Sequence, residues 1–137
     1  MRIVIAGCGE VGSDLARSLS AEGHQVSVID AEAEAFRLLG DDFAGSTCTG
    51  QVYDPDVLRL AGIESADAFI AVTTSDDANA IAVQVARRVF AVPTAVARLQ
   101  DPAHEDLYRV LDVPFVGGPA AMSQALHARV DGFRHTG

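Results

Sequence analysis

RIVIAGCGEVGSDLA, residues Arg2 to Ala16, joins a short apolar run to three glycines and the opening of a helical pattern. Ile3 to Ala6 reads as a strand. Val11, Leu15, Ala16 and Leu19 recur at helical spacing as far as Ala21, and Gly23 supplies a stop signal. Between strand and helix, Gly7, Gly9 and Gly12 have the spacing G-x-G-x-x-G. Glycines mark many tight turns, so context has to carry the reading. Here an acid, Asp30, follows at the end of the next strand, 18 residues beyond Gly12. In that setting the first glycine permits the turn and the second lets a pyrophosphate approach the backbone. The third lets helix and strand pack closely. The helix amino end then offers N–H groups and a partial positive charge to phosphates.

Working outward, β-branched runs alternate with helical stretches, the pattern of a parallel sheet covered on both faces. Gln25 to Ile29 is the second strand, and Ala31 to Leu39 reads as a helix closed by Gly40. Phe43 to Thr49 is the third strand. Asp54-Pro55 supplies an N-cap and a first-turn proline for a short helix to Ala61. Ala68 to Thr73 is the fourth strand, and Asp76 or Asp77 caps a long helix to about Phe90. Pro93 to Ala97 forms the fifth strand, Asp101-Pro102 opens a helix to about Leu111, and Val113 to Val116 is the sixth strand. A last helix is expected from Pro119 to Val130. Six strands separated by helices make two βαβαβ halves. The expectation is a single Rossmann-like, doubly wound α/β domain over residues 1–137, with sheet order 3-2-1-4-5-6.

Composition narrows the function. The chain has 137 residues and a formal net charge of −9, which argues against nucleic acid and against an anionic membrane surface. No apolar run reaches the length that spans a bilayer. Met1-Arg2 leads straight into the first strand, so neither a signal peptide nor direct membrane insertion is expected, and the expected location is cytoplasmic. All ten cations are arginines, which excludes a lysine base, a Schiff-base lysine and a P-loop lysine within these residues. Cys8 and Cys48 read as small apolar fillers. His24, His104, His127 and His135 lack metal-ligand spacing and read as surface or capping residues.

The candidate contacts gather at strand ends. Asp30 is placed to accept hydrogen bonds from an adenosine ribose diol and to repel a 2′-phosphate, favouring NAD(H) or an adenine mononucleotide over NADP(H). Glu10 is either a solvated acid matching the helix dipole or a charge that disfavours a terminal phosphate. Gln51, in Thr49-Gly50-Gln51-Val52, either reads the adenine edge or lies in an ordinary turn. Thr73 and Thr74, at the crevice where strand order reverses, either touch ligand or help Ser75 cap the next helix. Arg98, ending the fifth strand, is either a phosphate partner or the ion-pair partner of Asp101 or Asp76. Cys8 and Val11 in the loop, with Ala31 and Val52 beside Asp30 and Gln51, complete the set. No His-Asp pair is apparent, and Tyr53 and Tyr108 lack a partner lysine, so hydride-transfer catalysis is not expected. A stand-alone NAD-dependent oxidoreductase fragment and an adenylate sensor for a soluble partner remain as alternatives.

GCGEVG (7 to 12), EGHQVSVID (22 to 30), DPDVLRLAGIESADAFIAVTTSDDAN (54 to 79) and ARLQDP (97 to 102) together resemble the RCK/KTN N-terminal domain. This is the nucleotide-binding regulatory domain of Trk- and Ktr-type bacterial potassium uptake systems and some potassium channels. The resemblance implies binding of NAD(H), ATP or ADP without chemistry, homodimers or larger rings, and control of a membrane-embedded potassium transporter or channel subunit. It implies ligand roles for Gly7, Gly9, Gly12, Asp30, Gly50, Thr73, Thr74 and Arg98. Glu10 looks closer to the Trk-type, NAD-binding members, since Ktr-type members often have arginine there. Gln51 departs from the family's usual aspartate, and the usual C-terminal ligand domain is not within these residues. The segment from Pro119 to Val130, with an apolar face of Ala121, Met122, Ala125, Leu126 and Val130, corresponds to a helix that in relatives crosses to a partner subunit.

Overall fold

The computed structural model describes residues 1–117, 123, 126–128 and 130. Six parallel strands run in the order β3-β2-β1-β4-β5-β6, as expected. In chain order β1 is Arg2–Ala6, α1 Glu10–Ala21, β2 Gln25–Asp30, β3 Ser46–Thr49, α2 Pro55–Leu60 and β4 Ala68–Ala71. Then come α3 Asp76–Arg88, β5 Thr94–Leu99, α4 Glu105–Val110 and β6 Phe115–Gly117. Single-turn or tightened 3-10 helices cover Ala33–Leu39, Ile63–Ser65 and Pro102–His104.

The alternation of side chains along β1 explains why both faces need cover. Ile3 and Ile5 turn to one face, packed with Val26, Val28, Ala16 of α1 and Leu39 of the first 3-10 helix. Val4 and Ala6 turn to the other, under Leu58 of α2, Val83 and Ala86 of α3 and Tyr108 of α4. β1 pairs with β2 on one side and β4 on the other, with Ala6 level with both Ile29 and Ala71. The strand order therefore reverses beside Ala6, and the chain leaves β1 and β4 in divergent directions over one edge.

Several expected boundaries move, each for a local reason. The expected helix over 31–39 is a 3-10 helix that starts at Ala33, because the Asp30 side chain accepts the Glu32 N–H at 2.8 Å and holds Ala31 and Glu32 in a turn. The fourth strand stops at Ala71, two residues early, because the Thr73 N–H turns away to the side chain of Asn79. Ser75, rather than Asp76 or Asp77, caps α3, accepting from the Ala78 N–H at 3.2 Å. The third strand contracts to Ser46–Thr49, and the fifth runs on through Arg98 to Leu99. The helix expected over 119–130 lies largely outside the described residues; within it 126–128 are helical, and Leu126 and Val130 are exposed. No helix among the described residues is long and apolar enough to cross a membrane.

Candidate functional site

A cleft of about 800 Å³ opens over the carboxyl ends of β1, β2, β4 and β5, in the crevice where ligands bind in doubly wound sheets. Its floor is the glycine loop. Gly7 turns with φ +110°, and its N–H donates to the Ile29 carbonyl at 2.7 Å. A Cβ at Gly12 would run into the Gly7 carbonyl oxygen, so α1 can sit this close to β1 only with glycine there. Gly9 differs from both: a Cβ there would meet no protein atom within 4 Å, and its φ of −78° is ordinary. The protein itself does not need that glycine. The space above it belongs to the cleft.

Among the described residues three helix starts carry side-chain caps, Asp54 at α2, Ser75 at α3 and Asp101 at the last 3-10 helix, whereas the other 3-10 helices and α4 carry none. α1, with Gly9 as its N-cap, has none. Its first turn faces the cleft, where Gly9, Glu10 and Val11 are all lining residues. An uncapped helix amino end leaves N–H donors and a partial positive charge for an anion.

The β2 wall is built on Asp30. Its Oδ2 accepts the Cys8 N–H at 2.7 Å and its Oδ1 the Glu32 N–H at 2.8 Å, so the carboxylate joins the glycine loop to the segment after β2. Each oxygen retains a lone pair for a ligand hydroxyl. Cys8 is fully buried, with its Sγ donating to the Ala35 carbonyl at 3.4 Å. Burial, and then the neighbouring Asp30 charge, push its thiol pKa up, as expected for an inert filler. Ala31, Gln51 and Val52 line this side as the sequence suggests. Gly50 does not line the cleft; its N–H donates to the Asp30 carbonyl at 3.0 Å, and a Cβ there would run into the Val57 side chain. Glu32, Glu34 and Arg37 also line the cleft. The tightened helix brings Arg37 round to the cleft, which a regular helical reading did not indicate.

The β4–β5 wall carries Thr73, Thr74, Arg98 and Gln100. Arg98 makes no ion pair among the described residues, so the expected pairing with Asp101 or Asp76 is not what holds it. Asp76 is buried and engaged elsewhere: it accepts the Gln100 and Asp101 N–H groups and meets His104 Nδ1, all at 2.9 Å. Burial pushes the Asp76 carboxyl up, but the Asp101 and Gln100 N–H groups and His104 outweigh it and hold the pKa below its ordinary value. The bond to Asp76, with the nearby aspartate charges, raises that of His104. This His-Asp pair corrects the reading that none exists, yet neither residue lines the cleft. Its role is to hold the turn after β5.

Asn79, also missed, is fully buried at the base of the same wall. The one signal for it was an amide at helical spacing with Val83 and Ala86 on the apolar stripe of α3.

Comparisons with known proteins bear on the family and the fold. A family model described as the TrkA-N domain matches residues 3–119. The Trk system potassium uptake protein TrkA of Streptomyces coelicolor is 49% identical over 116 residues, 85% of this chain and 52% of that protein. The chain thus spans about half the length of that relative, and a smaller share of longer proteins with the same description. Among solved structures, the Shewanella denitrificans Kef CTD in its AMP-bound form aligns with a TM-score of 0.74 at 23% identity, covering 100% of this chain and 82% of that one. The GsuK channel bound to NAD aligns with a TM-score of 0.69 at 24% identity, covering 84% and 21%. At these identities the structural likeness is one of fold.

Proposed function

This chain belongs to the TrkA-N domain family, and from that premise we propose that it is the nucleotide-sensing regulatory part of a potassium transporter or channel system. It takes NAD(H), or AMP, ADP or ATP, into the cleft and releases it unchanged. The observation that carries the reading is the uncapped amino end of α1, set under an open Gly9 between the Asp30 carboxylate and Arg98. Pyrophosphate sits on the α1 N–H groups, Asp30 receives the adenosine ribose hydroxyls, and Arg98 faces the phosphate farther from the adenosine from across the cleft.

The NAD and AMP held by the two solved relatives of this fold support the ligand class. The description of the Streptomyces relative supports the transport role. No chemistry is assigned to the bound nucleotide, since this chain has no lysine and Tyr108, buried against Asp76, is outside the cleft. In this reading residues 1–137 form one domain. Residues 119–130 form a helix exchanged with a second copy, building a homodimer or larger ring on the inner face of the membrane against a membrane-embedded partner. Nucleotide acts by binding one arrangement of that assembly better than another, because equal affinity would shift nothing.

Thermal unfolding of the purified chain with NAD, NADH, AMP, ADP and ATP tests the ligand. Binding at a hundredfold excess over Kd stabilises by about 2.7 kcal/mol. Absence of any shift with all five overturns the ligand assignment. Potassium uptake by cells with and without the gene tests the transport role, and equal uptake overturns it.

A further inference from the structure

Within the β4–β5 wall, one buried amide joins the loop after β4 to β5. Asn79 Oδ1 accepts the Thr73 N–H at 3.0 Å and lies 2.6 Å from the Thr73 hydroxyl. Asn79 Nδ2 donates to the Thr73 carbonyl at 3.1 Å and to the Arg98 carbonyl at 3.2 Å. Two carbonyls need a donor and one N–H needs an acceptor, so the amide has a single satisfactory orientation. A fully buried side chain thereby ties the loop after β4 to the strand that carries Arg98. The Tyr108 hydroxyl, from α4, donates chiefly to the Asp76 carbonyl and lies 3.3 Å from the Arg98 carbonyl.

The opposite wall is organised separately, by Asp30 holding Cys8 and Glu32. No residue is shared between the two clasps. In a doubly wound sheet the adenosine half of a dinucleotide lies over the β1–β2 side, and the other half crosses to the far side of the switch point. Thr73 and Arg98 stand on that far side.

We propose that Asn79 is the positioning residue for the non-adenosine half of the ligand, setting how far the cleft prefers a dinucleotide over a mononucleotide. The proposal rests on the nucleotide reading above. Asn79 touches no ligand itself; it acts by fixing the Thr73 and Arg98 backbones relative to each other. Without it the loop after β4 loses its tie to Arg98, leaving the Asp76 bonds to Gln100 and Asp101 beyond that residue, and a ligand that ends at the adenosine phosphate loses little.

The test measures NAD and AMP affinity by calorimetry on the wild-type protein and on Asn79→Ala. Expected is a loss of about tenfold or more for NAD, with AMP held within about twofold. A general loosening of the fold would weaken both ligands together. Equal losses for NAD and AMP in the folded variant, or no loss for either, overturn the assignment to Asn79. Wild-type protein that binds neither ligand overturns the nucleotide reading instead. Should Asn79→Ala not fold, Tyr108→Phe carries the same comparison, because it removes the hydroxyl that the Asp76 and Arg98 carbonyls share on the same wall. A selective loss of about threefold for NAD is expected there, and its absence counts against the proposal.

Discussion

The Asp30 carboxylate accepts the Cys8 backbone N–H at 2.7 Å, so the acid placed to receive a ribose also fixes the glycine loop. Its other oxygen holds the Glu32 N–H. Asp30→Asn cannot serve both, since an amide has one acceptor and would turn its NH2 toward a donor. An unsatisfied N–H in this setting costs about 1–3 kcal/mol. Thermal unfolding of the variant should fall by on the order of 5 °C, and nucleotide should no longer raise it. A variant that melts with the wild type would separate the two roles assigned to Asp30.

Gly9 and Gly12 should part company on substitution to alanine. Gly12→Ala drives a methyl into the Gly7 carbonyl, so the loop must shift and the domain should be severely destabilised or fail to fold. Gly9→Ala meets no protein atom and needs no unusual φ. It should fold with stability within about 1 kcal/mol of wild type, the gain from a stiffer unfolded chain opposing alanine's poorer fit at an N-cap, while losing nucleotide binding because the methyl fills the phosphate approach. Circular dichroism melts with and without NAD read both outcomes. Retained binding in Gly9→Ala would argue that phosphate does not approach the backbone there.

Local grammar explains how much of this was legible. Strand order follows from β-branched runs punctuated by glycine and proline, and the glycine loop with Asp30 is a short-range pattern confined to residues 7–30. The other wall is not local. Asn79 meets Arg98 across 19 residues, and Asp76 meets Gln100, Asp101 and His104 across 24 to 28. Until β5 is laid beside β4, Asp76 reads as one more acid at a helix start, and Asn79 as an interruption of an apolar stripe. Arg37 was missed for a different reason. The Asp30 side chain captures the Glu32 N–H, delays the following helix and changes which residues face the cleft.

Ligand choice should follow the charge of the β2 wall. Asp30, Glu32 and Glu34 line it, with Arg37 the cation among them and its guanidinium 3.4 Å from the Glu34 carbonyl. A 2′-phosphate would meet the Asp30 carboxylate where a free hydroxyl donates to it. NADP should bind at least about tenfold more weakly than NAD, a difference of about 1.4 kcal/mol. Competition of the two in a calorimetric titration measures it. Equal affinities would mean that Arg37 offsets the acid, and Arg37→Ala should then weaken NADP alone.

The turn after β5 should carry a pH signature. His104 bound to Asp76 has its pKa raised above the ordinary 6.5. A raised folded pKa stabilises fully below the unfolded value, and that stabilisation is lost as pH rises through the folded one. Asp76 works in the opposite sense. Its pKa is held below 3.8, so its contribution is present above that value and lost as pH falls through the lowered one. The pair therefore stabilises most between about pH 4 and 6.5. The difference in Tm between wild type and His104→Ala should be largest near pH 5 and shrink toward pH 9. Asp101 and Asp77, whose charges also act on His104, are present in both proteins and leave the trend to the histidine. A gap in Tm that stays constant from about pH 5 to 9 would assign His104 a packing role alone. The turn carrying Gln100 would then rest on the two backbone N–H bonds to Asp76.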